Sequence, residues 1–93
     1  MTPNDFHAGL RADGYADAVV VERLAGYALD SHVHSFDARA LITAGEITLT
    51  VDGVATRYGV GDVFRLPAGT AHLESAGPDG VTYLSGRREV AAS

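Results

Sequence analysis

The apolar residues of the chain follow a helical rhythm at the start and a two-residue rhythm afterwards. Phe6 and Leu10 lie one turn apart on a common helix face. Thr2 is placed to cap the amino end, Pro3 suits the first helical position, and Asp5 sits near the positive end of the dipole. Gly14 is a stop signal, so the pattern predicts a helix over about residues 2–13. Its apolar face predicts a packing role, covering part of a sheet.

From Ala18 onward the pattern predicts strands. Val19-Val20-Val21 is β-branched, Ala38 to Ala44 is an apolar run, and Ile47, Leu49 and Val51 alternate with Thr48 and Thr50. Asp52-Gly53 between Val51 and Val54 marks a tight hairpin, because a type I′ turn needs positive φ at both central residues. Val54 to Tyr58 is the return strand. Turn chemistry at Gly59, Gly61-Asp62, Pro67-Ala68-Gly69 and Gly77-Pro78-Asp79-Gly80 then sets off strands at Val63–Leu66, Thr70–Ala76 and Val81–Gly86. Short strands at a spacing of about 8–12 residues predict a sandwich or barrel rather than βαβ units. The pattern holds no linker, low-complexity segment or internal repeat, so one all-β domain is expected, with its barrel over about residues 18–88.

Composition narrows the chemistry. The 93 residues include seven arginines, no lysine, twelve acidic residues and no cysteine, for a net charge of −5. The missing cysteine excludes disulfides, a thiolate nucleophile and a sulfur-ligated zinc site. The acidic balance and scattered arginines argue against a nucleic-acid partner, which needs clustered cations to release counterions. No apolar run approaches the roughly 20 residues of a membrane span. Met1-Thr2-Pro3-Asn4-Asp5 lacks the basic and apolar regions of a signal peptide, so a cytoplasmic protein without a membrane partner is expected.

What remains are four histidines, at positions 7, 32, 34 and 72. His32-Val33-His34 puts two imidazoles on one face of an extended strand, where both nitrogens can chelate one ion. The third lies in the run from Gly61 to His72, which has Gly, five residues, Pro, one residue, Gly, two residues, His. From average residue usage these four positions coincide by chance roughly once in 10⁵ starts. His7 falls on the predicted helix beside Phe6 and reads as a surface residue. Arg39 reads either as an anion anchor at a barrel mouth or as half of an exposed ion pair with Asp37. Tyr27, Tyr58 and Tyr83 read as core or rim aromatics. Gly59-x-Gly61 is turn punctuation, since no strand-to-helix step follows it. No serine neighbours a His–acid pair, so hydrolysis by a nucleophilic hydroxyl has no visible machinery.

These motifs resemble those of the cupin superfamily, small jelly-roll barrels, over about residues 24–86. The first family motif is G-x5-H-x-H-x3-4-E-x6-G, and Gly26, His32, His34 and Gly45 occupy its G, H, H and G positions. The second is G-x5-P-x-G-x2-H-x3-N, matched by Gly61, Pro67, Gly69 and His72. The resemblance implies a jelly roll with one divalent transition metal ion (Fe, Mn, Zn, Ni or Cu) on His32, His34 and His72. Two positions depart from the pattern. The motif Glu falls at Ala38, or at Arg39 with the longer spacing, and the motif Asn falls at Ala76.

Two carboxylates are candidates to compensate. Glu74 shares strand parity with His72 and is expected inside, chiefly receiving the free N–H of a ligating histidine and otherwise serving as a substitute ligand. Asp37 adjoins the vacant position, but parity from His34 points it outward unless a bulge intervenes. Parity also predicts a pocket wall of Phe36, Ala38, Ala40 and Ile42, apolar and mostly small, with room for a modest organic ligand. The expected function is a metal-dependent enzyme of dioxygenase, isomerase, cyclase or lyase type acting on a small molecule. The alternative is a metal- or ligand-binding module without turnover. Val19-Val20-Val21 offers an apolar strand edge, from which a homodimer is expected.

Overall fold

A computed structural model of the chain describes residues 1–90. Helix α1 spans Pro3–Ala12, capped by the Thr2 hydroxyl, which accepts the Asp5 N–H at 3.2 Å. Asp13 ends it, its N–H donating to Gly9 O at 3.0 Å. Six strands follow: β1 Val19–Arg23, β2 Ala28–His32, β3 Phe36–Val51, β4 Val54–Tyr58, β5 Val63–Leu66 and β6 His72–Glu89. All pairings are antiparallel, in the order β1-β6-β3-β4, with β2 also on β6 and β5 also on β3. This is the expected all-β jelly roll with a short N-terminal helix. Among the described residues no helix is long and apolar enough to cross a membrane.

The strand boundaries differ from the expected ones in an instructive way. The apolar run at 38–44 and the alternating run at 46–51 are one strand, and the residues from Gly77 to Gly80 lie within β6 instead of ending it. Each long strand bends and serves two layers. The first half of β3 and the second half of β6 join β1 and β5; the other halves join β2 and β4. Bending without breaking the ladder takes register shifts, between Ile42 and Ala44 and between Gly45 and Ile47. It also takes two glycines in the left-handed region, Gly45 (φ 69°) and Gly80 (φ 78°). A side chain at Gly45 would overlap the Gly80 carbonyl, and one at Gly80 would come within 2.6 Å of Arg23 O. Gly45 and Gly80 therefore mark bends here because the backbones approach too closely for a Cβ.

Between the layers lies the main core, with Ala40, Ile42, Ile47, Leu49, Phe64 and Val81 all buried. Phe64 packs between Tyr58 and Tyr83, each ring 5.7 Å away. A second, smaller core forms outside, where Phe6 and Leu10 of α1 meet Leu41. Burying each of those side chains stabilises the fold by about 1.5–3 kcal/mol. The helix end is pinned by an Arg39–Asp13 ion pair at 2.8 Å, and Tyr15 lies against the guanidinium groups of both Arg39 and Arg88. Arg39 thus holds the helix to the sheet through Asp13, while Asp37, its expected partner, pairs with Arg88 instead.

Gly45→Ala should lower stability by about 3 kcal/mol or more, combining left-handed strain with backbone overlap. Gly53→Ala, at φ 76° in the β3–β4 hairpin with open space around it, should cost only about 1–2 kcal/mol. Urea midpoints of the two variants check the contrast; equal losses would show that the crossing is not the constraint.

Candidate metal centre

His32 closes β2 and His72 opens β6, and the two are register partners across the ladder. His34 follows two residues later, beyond the end of β2. The loop before His72 is tied to it, since the Gly69 N–H donates to His34 O at 2.9 Å. The three rings converge, with centroids 4.1 Å apart for His32 and His72, 5.0 Å for His32 and His34, and 5.1 Å for His34 and His72. One ligand nitrogen from each lies within 4.8 Å of the others. The two histidines paired by strand parity and the one supplied by the second motif lie together, and His7 lies apart from them against Phe6.

Hydrogen bonds decide which nitrogens are available. His32 Nδ1 lies 2.8 Å from Asp30 O, and His72 Nδ1 lies 2.9 Å from Thr70 O. A carbonyl oxygen only accepts, so each Nδ1 carries a proton, and in the neutral imidazole each Nε2 carries the lone pair. Both Nε2 atoms are buried and have no hydrogen-bond partner among the described residues. His72 itself is only 1 % exposed. Buried polar atoms are almost always paired, and two unpaired lone pairs aimed at one point are what a cation needs. His34 stacks on Phe36 at 4.8 Å and 20°. Its pKa is held below the ordinary histidine value, first by burial and then by the neighbouring His72 and His32. It therefore faces the cluster as a neutral imidazole at pH 7.

Glu74 turns inward, as parity expects, but not for the role ranked first from sequence. The N–H groups of His32 and His72 are already taken by backbone carbonyls. Its Oε2 instead faces the lone pairs, 3.6 Å from His72 Nε2 and 3.9 Å from His32 Nε2. Its Oε1 accepts the Tyr27 hydroxyl at 2.5 Å, a short charge-assisted bond. Burial and then that bond to Glu74 raise the Tyr27 pKa, and burial pushes Tyr83 up to about 12, so both phenols stay protonated.

The cluster opens into a cavity of about 160 Å³, where Phe36 and Ala38 form part of the wall. Ala40 and Ile42, expected beside them, are buried in the core below the cavity floor. Their parity is as expected, but the opposite layer closes over them. Asp37 lies on the other face of β3 and takes no part in the cluster. It accepts the Ala68 N–H at 2.9 Å and Arg88 Nη2 at 2.8 Å, fastening the loop that leads to His72. No bulge reverses its parity.

Nine lining residues are not assigned to the site from the sequence, among them Arg23, Arg87 and Tyr27, the last read there only as a core or rim aromatic. Arg87 continues the inward row through Tyr83 and Ser85, and only the early strand end drawn at Gly86 concealed it. Tyr27 stands in the turn before β2, where no periodicity signals direction.

The Cupin domain family model matches residues 19–85 of this chain. The chain is a cupin. No curated protein matches its sequence. Solved structures do. A cupin superfamily protein from Desulfitobacterium hafniense superposes with a TM-score of 0.68 at 22 % identity, over 76 % of this chain and 64 % of that one. KdgF from Halomonas sp. gives 0.65 at 25 % identity, over 78 % and 69 %. The DMSP lyase DddQ from Ruegeria pomeroyi gives 0.70 at 27 % identity, over 82 % of this chain and 39 % of its own. This cupin thus spans less than two thirds of the first and of the lyase.

The bond from Ala68 and then the Arg88 pair hold the Asp37 carboxyl below the ordinary carboxylate value of 3.8. Its contribution to stability is present above that value and is lost as pH falls through the depressed one. Asp37→Asn should therefore be less stable than the parent at pH 7, with the difference shrinking below about pH 4. Urea midpoints across pH 2–7 check this; a constant difference would break the link.

Proposed function

We propose that this cupin holds one divalent transition metal ion (Fe, Mn, Zn, Ni or Cu) and acts on a small organic molecule beside it. His32 and His72 would hold the ion through Nε2, His34 through a ring nitrogen and Glu74 through Oε2. The observation that carries this reading is the pair of buried, unpartnered Nε2 atoms whose protonation is set by backbone carbonyls. Three neutral imidazoles with one carboxylate suit all five metals. When bound, the ion would polarise a ligand oxygen or activate water or dioxygen.

The chain's own groups do the rest. Tyr27 keeps the Glu74 carboxylate turned toward the histidines. Phe36 fixes the plane of the His34 ring. The cavity, smaller than the roughly 300–1,000 Å³ of drug-sized sites, admits only a small ligand. Dioxygenase, isomerase, cyclase and lyase chemistry all fit such a site, and the 27 % identity to a DMSP lyase supports the lyase class among them. We also propose a homodimer through the outer edge of β1, where Val19 and Val20 are 57 % and 64 % exposed.

Untagged protein purified anaerobically should carry about one metal ion per chain, and His72→Ala should lose it. His34→Ala, altering a partly exposed side chain, covers the case in which the first variant misfolds. Glu74→Gln should weaken metal affinity about ten- to a hundredfold. Divalent ions at about 100 times Kd should stabilise the parent by about 2.7 kcal/mol. A metal-free parent whose melting temperature ignores divalent ions sinks the reading. Stoichiometric metal without turnover of any small carbonyl, phenolic or thiol substrate would leave a binding module instead. Sedimentation at micromolar concentration should return the dimer mass; a monomer refutes that part.

A further inference from the structure

The cavity wall opposite the histidines carries charge of the other kind. In a chain of net charge −5, the charged side chains lining this cavity are Arg23, Arg87 and Glu74, a surplus of one positive charge. The two guanidinium groups differ in their engagement. Arg23 lies over the Tyr27 ring at 5.2 Å and donates to Glu22 O at 3.1 Å, on the side where Tyr27 meets Glu74. Arg87 makes no side-chain hydrogen bond or ion pair among the described residues. Arg39, Arg57 and Arg88, by contrast, each have a carboxylate partner.

Arg87 is nonetheless held in place. Its guanidinium carbon sits 4.3 Å from the centre of the Phe36 ring, and that ring stacks in turn on His34. Stacking on an aromatic face restrains the guanidinium plane while leaving its in-plane N–H groups free. Arg87 thus lines the same cavity as His32 and His34, with its donors unused by the described residues. A planar, rigid fork with unused donors matches a carboxylate, which can accept two parallel N–H bonds. One guanidinium in the cavity without a hydrogen-bond partner among the described residues matches one carboxylate of a ligand.

We propose that Arg87 anchors a small organic monocarboxylate in this cavity, with its non-ionic end toward the histidine cluster. This names a ligand class for the site described above and rests on that cavity being the functional one. Arg87 acts as a specificity residue, selecting charge at one end of the ligand, and Phe36 positions it.

The test uses the full chain, both zinc-loaded and metal-stripped, titrated with lactate and with its uncharged analogue lactamide by calorimetry. Lactate should bind at least about tenfold more tightly than lactamide, the fold-change of losing one charge-assisted hydrogen bond. Arg87→Gln should erase that preference, and Phe36→Leu should reduce it. Arg57→Gln, which removes the same charge from an exposed ion pair outside the cavity, should leave it intact. Metal content, measured separately, should be the same in Arg87→Gln and the parent. Equal affinity for lactate and lactamide overturns the proposal, as does a preference that survives Arg87→Gln. Inorganic phosphate competing as well as lactate overturns the choice of a carboxylate. If anion preference depends on Arg87 but no metal is ever retained, the metal reading alone fails; if metal binds without anion preference, this inference alone fails.

Discussion

The close crossing of β3 and β6 at Gly45 and Gly80 is the constraint on which the rest of the molecule depends. The two longest strands bend together there, and no Cβ fits between their backbones. Because they bend without breaking, one pair of strands supplies the middle of both layers. The first half of β6 brings His72 to the histidine cluster and Glu74 to the cavity wall, and its second half brings Tyr83, Ser85 and Arg87 to that wall. A domain of this size has little core to spare. Sharing strands between layers lets it enclose a cavity with six strands, and α1 adds a second small core on the outside.

Within the cavity, backbone and side chains divide the labour. Backbone carbonyls at Asp30 and Thr70 set the tautomers of His32 and His72 by accepting their Nδ1 protons. That arrangement costs no extra buried polar side chain and leaves both Nε2 atoms facing inward. The cupin pattern's carboxylate position on β3 holds Ala38, and the carboxylate nearest the histidines is Glu74 on β6, two residues beyond His72. Period-two geometry puts Glu74 on the same side as His72, since i and i+2 on a strand face the same way. That position gives Glu74 a neighbour, because β2 and the turn before it are adjacent to that part of β6. Tyr27 reaches Glu74 from there, and Ala76 N–H donates to Tyr27 O at 2.9 Å to hold the turn against the strand.

Much of this was legible before any coordinates. The capping Thr2, the Phe6–Leu10 spacing, the Asp52-Gly53 turn with φ of 51° and 76°, and the parity of His32 and His34 each follow from local geometry. Parity also sorted Glu74 inward and Asp37 outward. Local signals failed where one residue type serves two ends. A Gly-Pro-Asp-Gly run reads as a turn, yet here it bends a strand whose hydrogen bonds continue on both sides. The parity of Ala40 and Ile42 was right, but their depth was not, because depth depends on what the other layer places above them.

The sequence by itself therefore determined the strand class, the facing of side chains within the regular strands and, through motif spacing, the three imidazoles, since these depend on residues close along the chain. Only the tertiary structure decided which facing residues share a space. The Glu74–Tyr27 bond spans 47 positions along the chain, and the Arg88–Asp37 pair that secures the loop before His72 spans 51. Contacts of that separation arise from how the layers close, and layer closure is set by the backbone crossing at Gly45 and Gly80, which no local pattern of apolar and polar residues encodes.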